Sequence, residues 1–130
     1  RPLSAAIKQS TGSVERRWAA LRILARMMIR RLEVLHRCGV VHCDVQPDNI
    51  LLGRGDEQAQ AKAYLIDFGC AQPYPGGPRK RADFGSVDFN SMRTAEGGER
   101  GPCDDLEALG WVCCFGLCGD LPWFSTTKNA

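Results

Sequence analysis

One short stretch, VVHCDVQPDNILL, limits what this chain can fold into more than any other part of the sequence. Between Val40 and Leu52 it places His42, Asp44, Asp48 and Asn49 within eight positions, flanked by apolar runs. A buried polar group that lacks a hydrogen-bond partner costs roughly 1–3 kcal/mol or more. The four polar groups must therefore pair with one another or face a site.

Short strands are predicted on both sides of this loop. Val40–Val41, Ile50–Leu52 and Ala63–Ile66 are short runs rich in branched residues, a composition that is typical of strands. The polar turn GRGDEQAQAK, from Gly53 to Lys62, joins the last two runs. We therefore predict a hairpin with a long loop at this point.

A long amphipathic helix is predicted from Val14 to Arg37, with Ser13 as its N-cap and Gly39 at its C-terminal end. A short apolar helix, LSAAIKQ, is predicted to precede it. Apolar residues of the long helix recur at alternating three- and four-residue steps and share one face: Trp18, Leu21, Ala25, Met28, Leu32 and Leu35. We expect Trp18 and both methionines of this helix to belong to the core rather than to a cofactor site.

A second long helix, Asp104 to Cys118, is predicted to be buried. Asp104 or Asp105 begins it, and Gly119 ends it. Residues 72–81 (QPYPGGPRKR) and 93–102 (RTAEGGERGP) carry most of the local prolines and glycines, so both segments are predicted to be loops.

The composition restricts the class of protein and its partners. The chain has 130 residues, of which 44% are hydrophobic and 25% charged, as expected for one globular domain or part of a larger one. Its net charge of +2 is too small to indicate nucleic acid or a membrane surface. The longest apolar run, LGWVCCFGLCG, is too short to span a bilayer. We therefore expect neither nucleic acid nor a membrane among its partners.

The seven cysteines indicate a reducing compartment rather than a metal site. No CxxC pair is matched by a second pair or by spaced histidines, so zinc is not expected. Cys113, Cys114 and Cys118 are expected to be small buried residues of the second long helix. Because no signal peptide is visible, we predict an intracellular location, in cytoplasm or nucleus. The basic cluster PRKR, Pro78 to Arg81, is interpreted as a solvated loop rather than a nuclear signal.

Three oxygen-bearing side chains predict the chemistry of the loop. Asn49 follows Asp44 by five residues, with Pro47 stiffening the loop, and LIDFG places Asp67 at a strand end before Gly69. Mg²⁺ prefers such hard oxygen ligands, and usually takes only one or two from the protein. Phosphoryl transfer needs this set: a carboxylate that accepts the proton of the attacking hydroxyl, and a metal that neutralises phosphate charge.

These motifs resemble the protein kinase family. HCDVQPDN resembles its catalytic loop, and DFG, residues 67–69, its magnesium-binding motif. FGSVDFNSM and CDDLEALGWVCCFGLCGDLPW are similar to the casein-kinase-one group, especially its vaccinia-related branch. The resemblance covers nearly the whole chain. It implies an α+β, protein-kinase-like fold with a mainly helical C-terminal lobe and short strand pairs around the catalytic loop.

The resemblance also implies an activity and a set of site residues. A protein of this family is expected to be a serine/threonine protein kinase, which uses ATP and Mg²⁺ to phosphorylate hydroxyl groups of a protein substrate. By position in the motifs, the catalytic base falls on Asp44. The nucleotide-binding residues fall on Gln46, Asn49 and Asp67, and the metal ligands on Asn49 and Asp67.

Other positions are structural or depart from the family pattern. The helix aspartate that holds the catalytic-loop backbone falls on Asp105, and His42 is expected to be a hydrogen-bonded core histidine. Cys43 stands where the family has an arginine that pairs with an activating phosphate, so no such phosphate should be needed. Gln46 replaces a lysine and removes a positive charge, which predicts a slower enzyme. Ser86 replaces threonine and keeps the hydroxyl.

The sequence carries neither a G-x-G-x-x-G loop nor a strand lysine, which this family has in its N-terminal lobe. Residues 1–130 are therefore expected to form a kinase C-terminal lobe alone. Two alternatives stay open: a catalytically impaired pseudokinase that serves as a binding scaffold, and a small-molecule phosphotransferase of the aminoglycoside or choline type. The second ranks last, because such enzymes are not expected to carry DDLEALG followed by LPW.

Overall fold

A computed structural model describes residues 1–53, 62–77 and 85–124. In chain order the helices are α1 (Leu3–Lys8), α2 (Val14–Arg37), α3 (Met92–Ala95) and α4 (Pro102–Cys118); the strands are β1 (Val40–Val41), β2 (Ile50–Leu52), β3 (Ala63–Leu65) and β4 (Gln72–Pro73). Single 3₁₀ turns lie at Pro47–Asn49 and Val87–Phe89. The short helix α1 and the long helix α2 confirm the predictions for the first part of the chain.

Helices α2 and α4 pack antiparallel and form the centre of the core. His36, near the end of α2, contacts Asp105 at the start of α4. Near the other end, Gly116 of α4 faces Leu21 of α2 so closely that a Cβ atom on the glycine would lie 2.7 Å from a leucine methyl carbon. The buried residues of α2 are Leu21, Leu24, Met28 and Leu32.

The prediction of a buried Trp18 is wrong, because 51% of this residue is exposed. Leu21 contacts Gly116, which lies two residues before the end of α4. Trp18 is almost one helical turn further toward the start of α2, so it extends past the end of α4. The methionines agree with the prediction: Met28 is fully buried and Met27 packs against the core.

The predicted hairpin is present. Strands β2 and β3 pair antiparallel, with Ile50 opposite Leu65 and Leu52 opposite Ala63. The turn between them lies mostly outside the described residues.

A second strand pair contradicts one predicted loop. Strand β1 pairs antiparallel with β4, placing Val40 opposite Pro73 and Val41 opposite Gln72. The segment 72–81 therefore begins as a strand, because a ladder of two residues tolerates a proline that cannot donate a hydrogen bond. The PRKR cluster lies outside the described residues.

Helix α4 begins at Pro102, two residues before the predicted start. Proline suits the first helical position because its missing N–H would have no partner there. Asp104 still caps the helix, since its carboxylate accepts the backbone N–H of Gly101 at 2.6 Å. Gly119, with φ of +79°, ends the helix as predicted. The predicted loop at 93–102 contains most of α3, whose N-cap is Ser91.

The cysteines of α4 are less buried than predicted. Cys113 is half-buried, whereas Cys114 and Cys118 are exposed. At 3.6 residues per turn, the face that contains Asp105, Ala108, Leu109, Val112 and Gly116 meets the core, and Cys114 and Cys118 point the other way. Among the residues that the structure describes, no helix is both long and apolar enough to cross a membrane.

Candidate active site

The loop of residues 42–49, here called the polar loop, connects β1 to β2. The buried carboxylate of Asp105 binds the backbone at its start. Asp105, which is 2% exposed, accepts the backbone N–H of His42 at 2.8 Å and that of Cys43 at 2.9 Å. The oxygen that accepts the His42 N–H, Oδ2, also lies 2.8 Å from Nε2 of the His36 ring. The contacts agree with the structural role predicted for Asp105.

His42 is a fully buried, hydrogen-bonded core residue, as predicted. Its Nδ1 atom accepts the backbone N–H of Asp44 at 3.2 Å, so the ring proton resides on Nε2, which donates to the carbonyl of Ile66 at 3.0 Å. The ring also meets Phe68 edge to face, with centroids 4.9 Å apart. His42 thereby links the polar loop to the segment that contains Asp67.

The carboxylate of Asp44 is oriented by three donors. Oδ1 accepts the side-chain amide of Gln46 at 2.9 Å and the backbone N–H of Ser86 at 2.8 Å. Oδ2 accepts the side-chain amide of Asn49 at 2.9 Å. The two oxygens of an ionised carboxylate offer about four lone-pair positions. Among the described residues, these three donors leave one acceptor position of the carboxylate for a further donor, such as a hydroxyl group.

Asn49 and Asp67 are brought together through the backbone. The amide group of Asn49 donates to both the backbone carbonyl and the carboxylate of Asp44, so its orientation is fixed. The carbonyl of Asn49 accepts the N–H of Ile66 at 2.9 Å, which places the next residue, Asp67, beside the polar loop. Asp67 is exposed, and one of its oxygens accepts the N–H of Gly69 at 3.1 Å.

The backbone is strained at two points of this site. Cys43 and Asp67 have φ of +65° and +60°, and they are the non-glycine residues with positive φ in the described ranges. Such conformations cost of order 1–3 kcal/mol each, and they cluster at functional sites. One precedes Asp44 directly and the other is itself a predicted site residue.

The fourth polar group of the opening stretch has a different partner. Asp48 is exposed and accepts a hydrogen bond from the hydroxyl of Ser4 in α1. The polar groups of the loop are thus satisfied in two directions: His42, Asp44 and Asn49 bond within the site, and Asp48 anchors α1.

Two residues of this region were not identified from the sequence. Arg100, which is 4% exposed, donates from Nη1 to the backbone carbonyl of Cys43. Gly85, with φ of +90°, approaches the same carbonyl so closely that a Cβ atom there would lie 2.7 Å from it. No spacing or motif in the sequence connects either residue to the polar loop, because both contacts are long-range.

A second charged cluster stabilises the start of α4 nearby. Burial alone would raise the pKa of Asp104, but hydrogen bonds from Arg93, Ser91 and the Gly101 backbone outweigh it and lower the pKa below its ordinary value of 3.8. The Arg93 guanidinium lies 2.6 Å from the carboxylate. This cluster holds α3 against α4, next to the residues that approach Asp44.

The arrangement can orient a proton acceptor and present oxygen ligands. Within residues 1–53, 62–77 and 85–124, no three His, Cys, Asp or Glu side chains are grouped as a metal site. A Mg²⁺ ion usually takes only one or two ligands from the protein and the rest from water or phosphate, so Asn49 and Asp67 would be enough protein ligands for it.

Comparisons with known proteins identify the family of this chain. The family model described as protein kinase domain matches residues 3–130. Casein kinase I homolog 2 of Schizosaccharomyces pombe is 35% identical over 108 residues, which cover 76% of this chain. The chain spans 25% of the length of that relative.

A solved structure supports the same assignment at the level of the fold. The structure of vaccinia related kinase 3 superimposes on 97% of this chain with a TM-score of 0.76 and 28% identity, and the match covers 40% of that kinase. The matched segment has the α+β, protein-kinase-like fold that the motifs imply. This chain belongs to the protein kinase family, in the group that contains casein kinase one and the vaccinia-related kinases.

Proposed function

We propose that this chain is the C-terminal lobe of a serine/threonine protein kinase, which transfers the terminal phosphoryl group of ATP to a hydroxyl group of a protein substrate. Family membership supports the reaction class. The cysteines support a reducing compartment, cytoplasm or nucleus, because all seven are thiols in the structure.

One observation carries the proposal: the Asp44 carboxylate is held by donors from Gln46, Asn49 and Ser86, with one acceptor position left. In this role Asp44 accepts a hydrogen bond from the substrate hydroxyl, orients it toward the γ-phosphate and takes up its proton. The new P–O bond forms as the bond from the γ-phosphorus to the bridging oxygen breaks, and ADP leaves. Such a positioned base contributes roughly 10²–10⁴-fold to a rate.

The donor set fits Mg²⁺ and the phosphates of ATP. Because the amide nitrogen of Asn49 donates to Asp44, the amide oxygen is the atom that can ligate a cation. The exposed carboxylate of Asp67 would supply the second oxygen. When bound, Mg²⁺ supplies positive charge that offsets the charge of the phosphates. Gln46 is the neighbouring donor that would contact the transferred phosphoryl group.

A catalytically impaired scaffold is the alternative, and Gln46 favours it. An amide at this position donates a hydrogen bond but no charge, and its nitrogen is already engaged with Asp44. Charge-assisted hydrogen bonds are roughly twice as strong as neutral ones, so phosphate would be held less firmly here than by a lysine.

The test is phosphate transfer from labelled ATP to a serine- and threonine-containing protein such as dephosphorylated casein, using a full-length form of the protein. We expect transfer that falls by at least about 10²-fold in Asp44→Asn. Asp48→Asn is the matched control, because this carboxylate lies in the same loop but bonds Ser4 rather than the site. Undiminished transfer in Asp44→Asn would assign the base elsewhere, and no transfer by the wild-type protein would favour the scaffold.

A further inference from the structure

We propose that Arg100 is a positioning residue for Asp44, resting on the proposed kinase function. Its guanidinium fixes the peptide group between Cys43 and Asp44 and couples that peptide to the Gly85–Ser86 segment. Arg100 is 4% exposed and donates from Nη1 to the backbone carbonyl of Cys43, 57 positions away.

The first support comes from the backbone of Cys43. With φ of +65°, Cys43 is in the left-handed region, where a non-glycine residue persists only if its surroundings hold it. Two buried charged side chains do so: Asp105 accepts its N–H at 2.9 Å, and Arg100 donates to its C=O. The carbonyl belongs to the peptide whose N–H is that of Asp44. A rotation of this peptide would move the Asp44 N–H away from His42 Nδ1, which now accepts it at 3.2 Å.

The second support comes from the segment on the other side of the carboxylate. The position of a Cβ at Gly85 lies 3.4 Å from Arg100 Nη1 and 3.4 Å from Asp44 Oδ1. The next residue, Ser86, donates its N–H to the same Oδ1 atom. The guanidinium and the carboxylate thus flank Gly85, and Asp44, Ser86 and Arg100 line the same small cavity.

An arginine suits this role better than any other donor. Its guanidinium is planar, always charged, and carries five N–H donors in a rigid fork, so it can hold a carbonyl and still contact a second segment. Lysine keeps the charge but presents a single flexible ammonium group. The proposal therefore predicts a moderate loss of kcat when the guanidinium is replaced by an ammonium group, and a larger loss when it is replaced by a side chain without a donor.

The experiment compares Arg100→Lys and Arg100→Met in a full-length form of the protein, measuring kcat, KM and amide hydrogen exchange at Asp44 and Ser86. We expect kcat to fall about tenfold in the Lys variant and about 10²-fold in the Met variant, because misplacement of a catalytic group by about 1 Å can cost that much. KM for ATP should change less than about threefold, and the exchange of both amides should accelerate in the same order.

Arg93→Met is the matched control. Arg93 also holds the start of α4, through Asp104, but the contacts described for it do not reach the polar loop. This variant should lower the stability of the protein but leave kcat, and the hydrogen exchange of the Asp44 and Ser86 amides, as in the wild type.

A purely structural role for Arg100 would give a different result. If Arg100→Lys folds with lower stability but with wild-type kcat and wild-type exchange at Asp44 and Ser86, the proposal is overturned, whether or not the Met variant folds. If the wild-type protein transfers no phosphate, the proposed kinase function fails instead. The exchange comparison then still decides the positioning role, since unchanged exchange at Asp44 in Arg100→Lys would reject it.

Discussion

Asp105 and His42 lie 63 positions apart in the sequence, yet a carboxylate oxygen of Asp105 accepts the backbone N–H of His42 at 2.8 Å. The other oxygen accepts the N–H of the next residue, and the ring of His36 approaches at 2.8 Å. A single buried side chain at the start of α4 therefore fixes where the polar loop begins. The geometry of the polar loop depends on the packing of α4 against α2 as well as on the loop itself.

Asp105→Asn should destabilise the fold by about 3 kcal/mol. The two Asp105 oxygens accept the backbone N–H groups of His42 and Cys43, and an asparagine would place its own NH₂ group against one of them. Urea unfolding of the variant, monitored by circular dichroism, measures this difference. Asp88→Asn is the control, since Asp88 is exposed and should change stability by less than about 0.5 kcal/mol. Equal stability of the two variants would show that the loop is held by other contacts.

Gln46→Lys should raise the rate of phosphate transfer by about tenfold, which corresponds to about 1.4 kcal/mol of transition-state stabilisation. The lysine would keep a donor near Asp44, which Gln46 contacts at 2.9 Å, and would add a positive charge for the phosphate. Steady-state kinetics with saturating ATP provide the measurement. Gln46→Met removes the donor without adding charge and should slow transfer, so a gain in both variants would refute the role of charge.

The contribution of Asp104 to the stability of the fold should decrease as the pH becomes acidic. Its pKa is lowered in the folded protein, from an ordinary 3.8, by hydrogen bonds from Arg93, Ser91 and Gly101 that outweigh the opposing effect of burial. The ionised form therefore stabilises the fold fully above the unfolded pKa, and this contribution is lost as the pH falls below 3.8 through the lower folded pKa.

The measurement is the difference in unfolding free energy between the wild-type protein and Asp104→Asn. We expect it to be constant between pH 5 and pH 7, about one unit or more above the ordinary aspartate pKa, and to shrink toward pH 3. A difference that grows on acidification would contradict the assigned direction.

These 130 residues alone should bind ATP–Mg²⁺ weakly, with a Kd above roughly 1 mM. Mg²⁺ gives up its water reluctantly, so Asn49 and Asp67 can hold it only with phosphates already in place. The sequence offers no glycine-rich loop to position them. Isothermal titration calorimetry with ATP and Mg²⁺ tests this, with Mg²⁺ alone as the baseline. Micromolar binding would mean that the nucleotide site lies elsewhere.

Local patterns determined the elements that carry the site. The bounds of α2 followed from its apolar periodicity and from Ser13, whose hydroxyl accepts the N–H of Arg16. The hairpin of β2 and β3 followed from two branched runs separated by a polar turn. The motif positions of Asp44, Asn49 and Asp67 predicted a shared site, and the backbone contacts through Ile66 join them. Each of these features depends on residues close in sequence, where spacing and conformational preference act directly.

Only the tertiary structure decided the long-range features. Arg100 reaches Cys43, β1 pairs with β4, and Trp18 is exposed. Periodicity assigns a residue to a face of a helix, but where the partner helix ends decides whether that part of the face is covered. A guanidinium near the end of a loop can reach any carbonyl that the fold brings within range. The fold therefore selects which distant donor holds the strained peptide before Asp44, and the sequence of the loop carries no record of that choice.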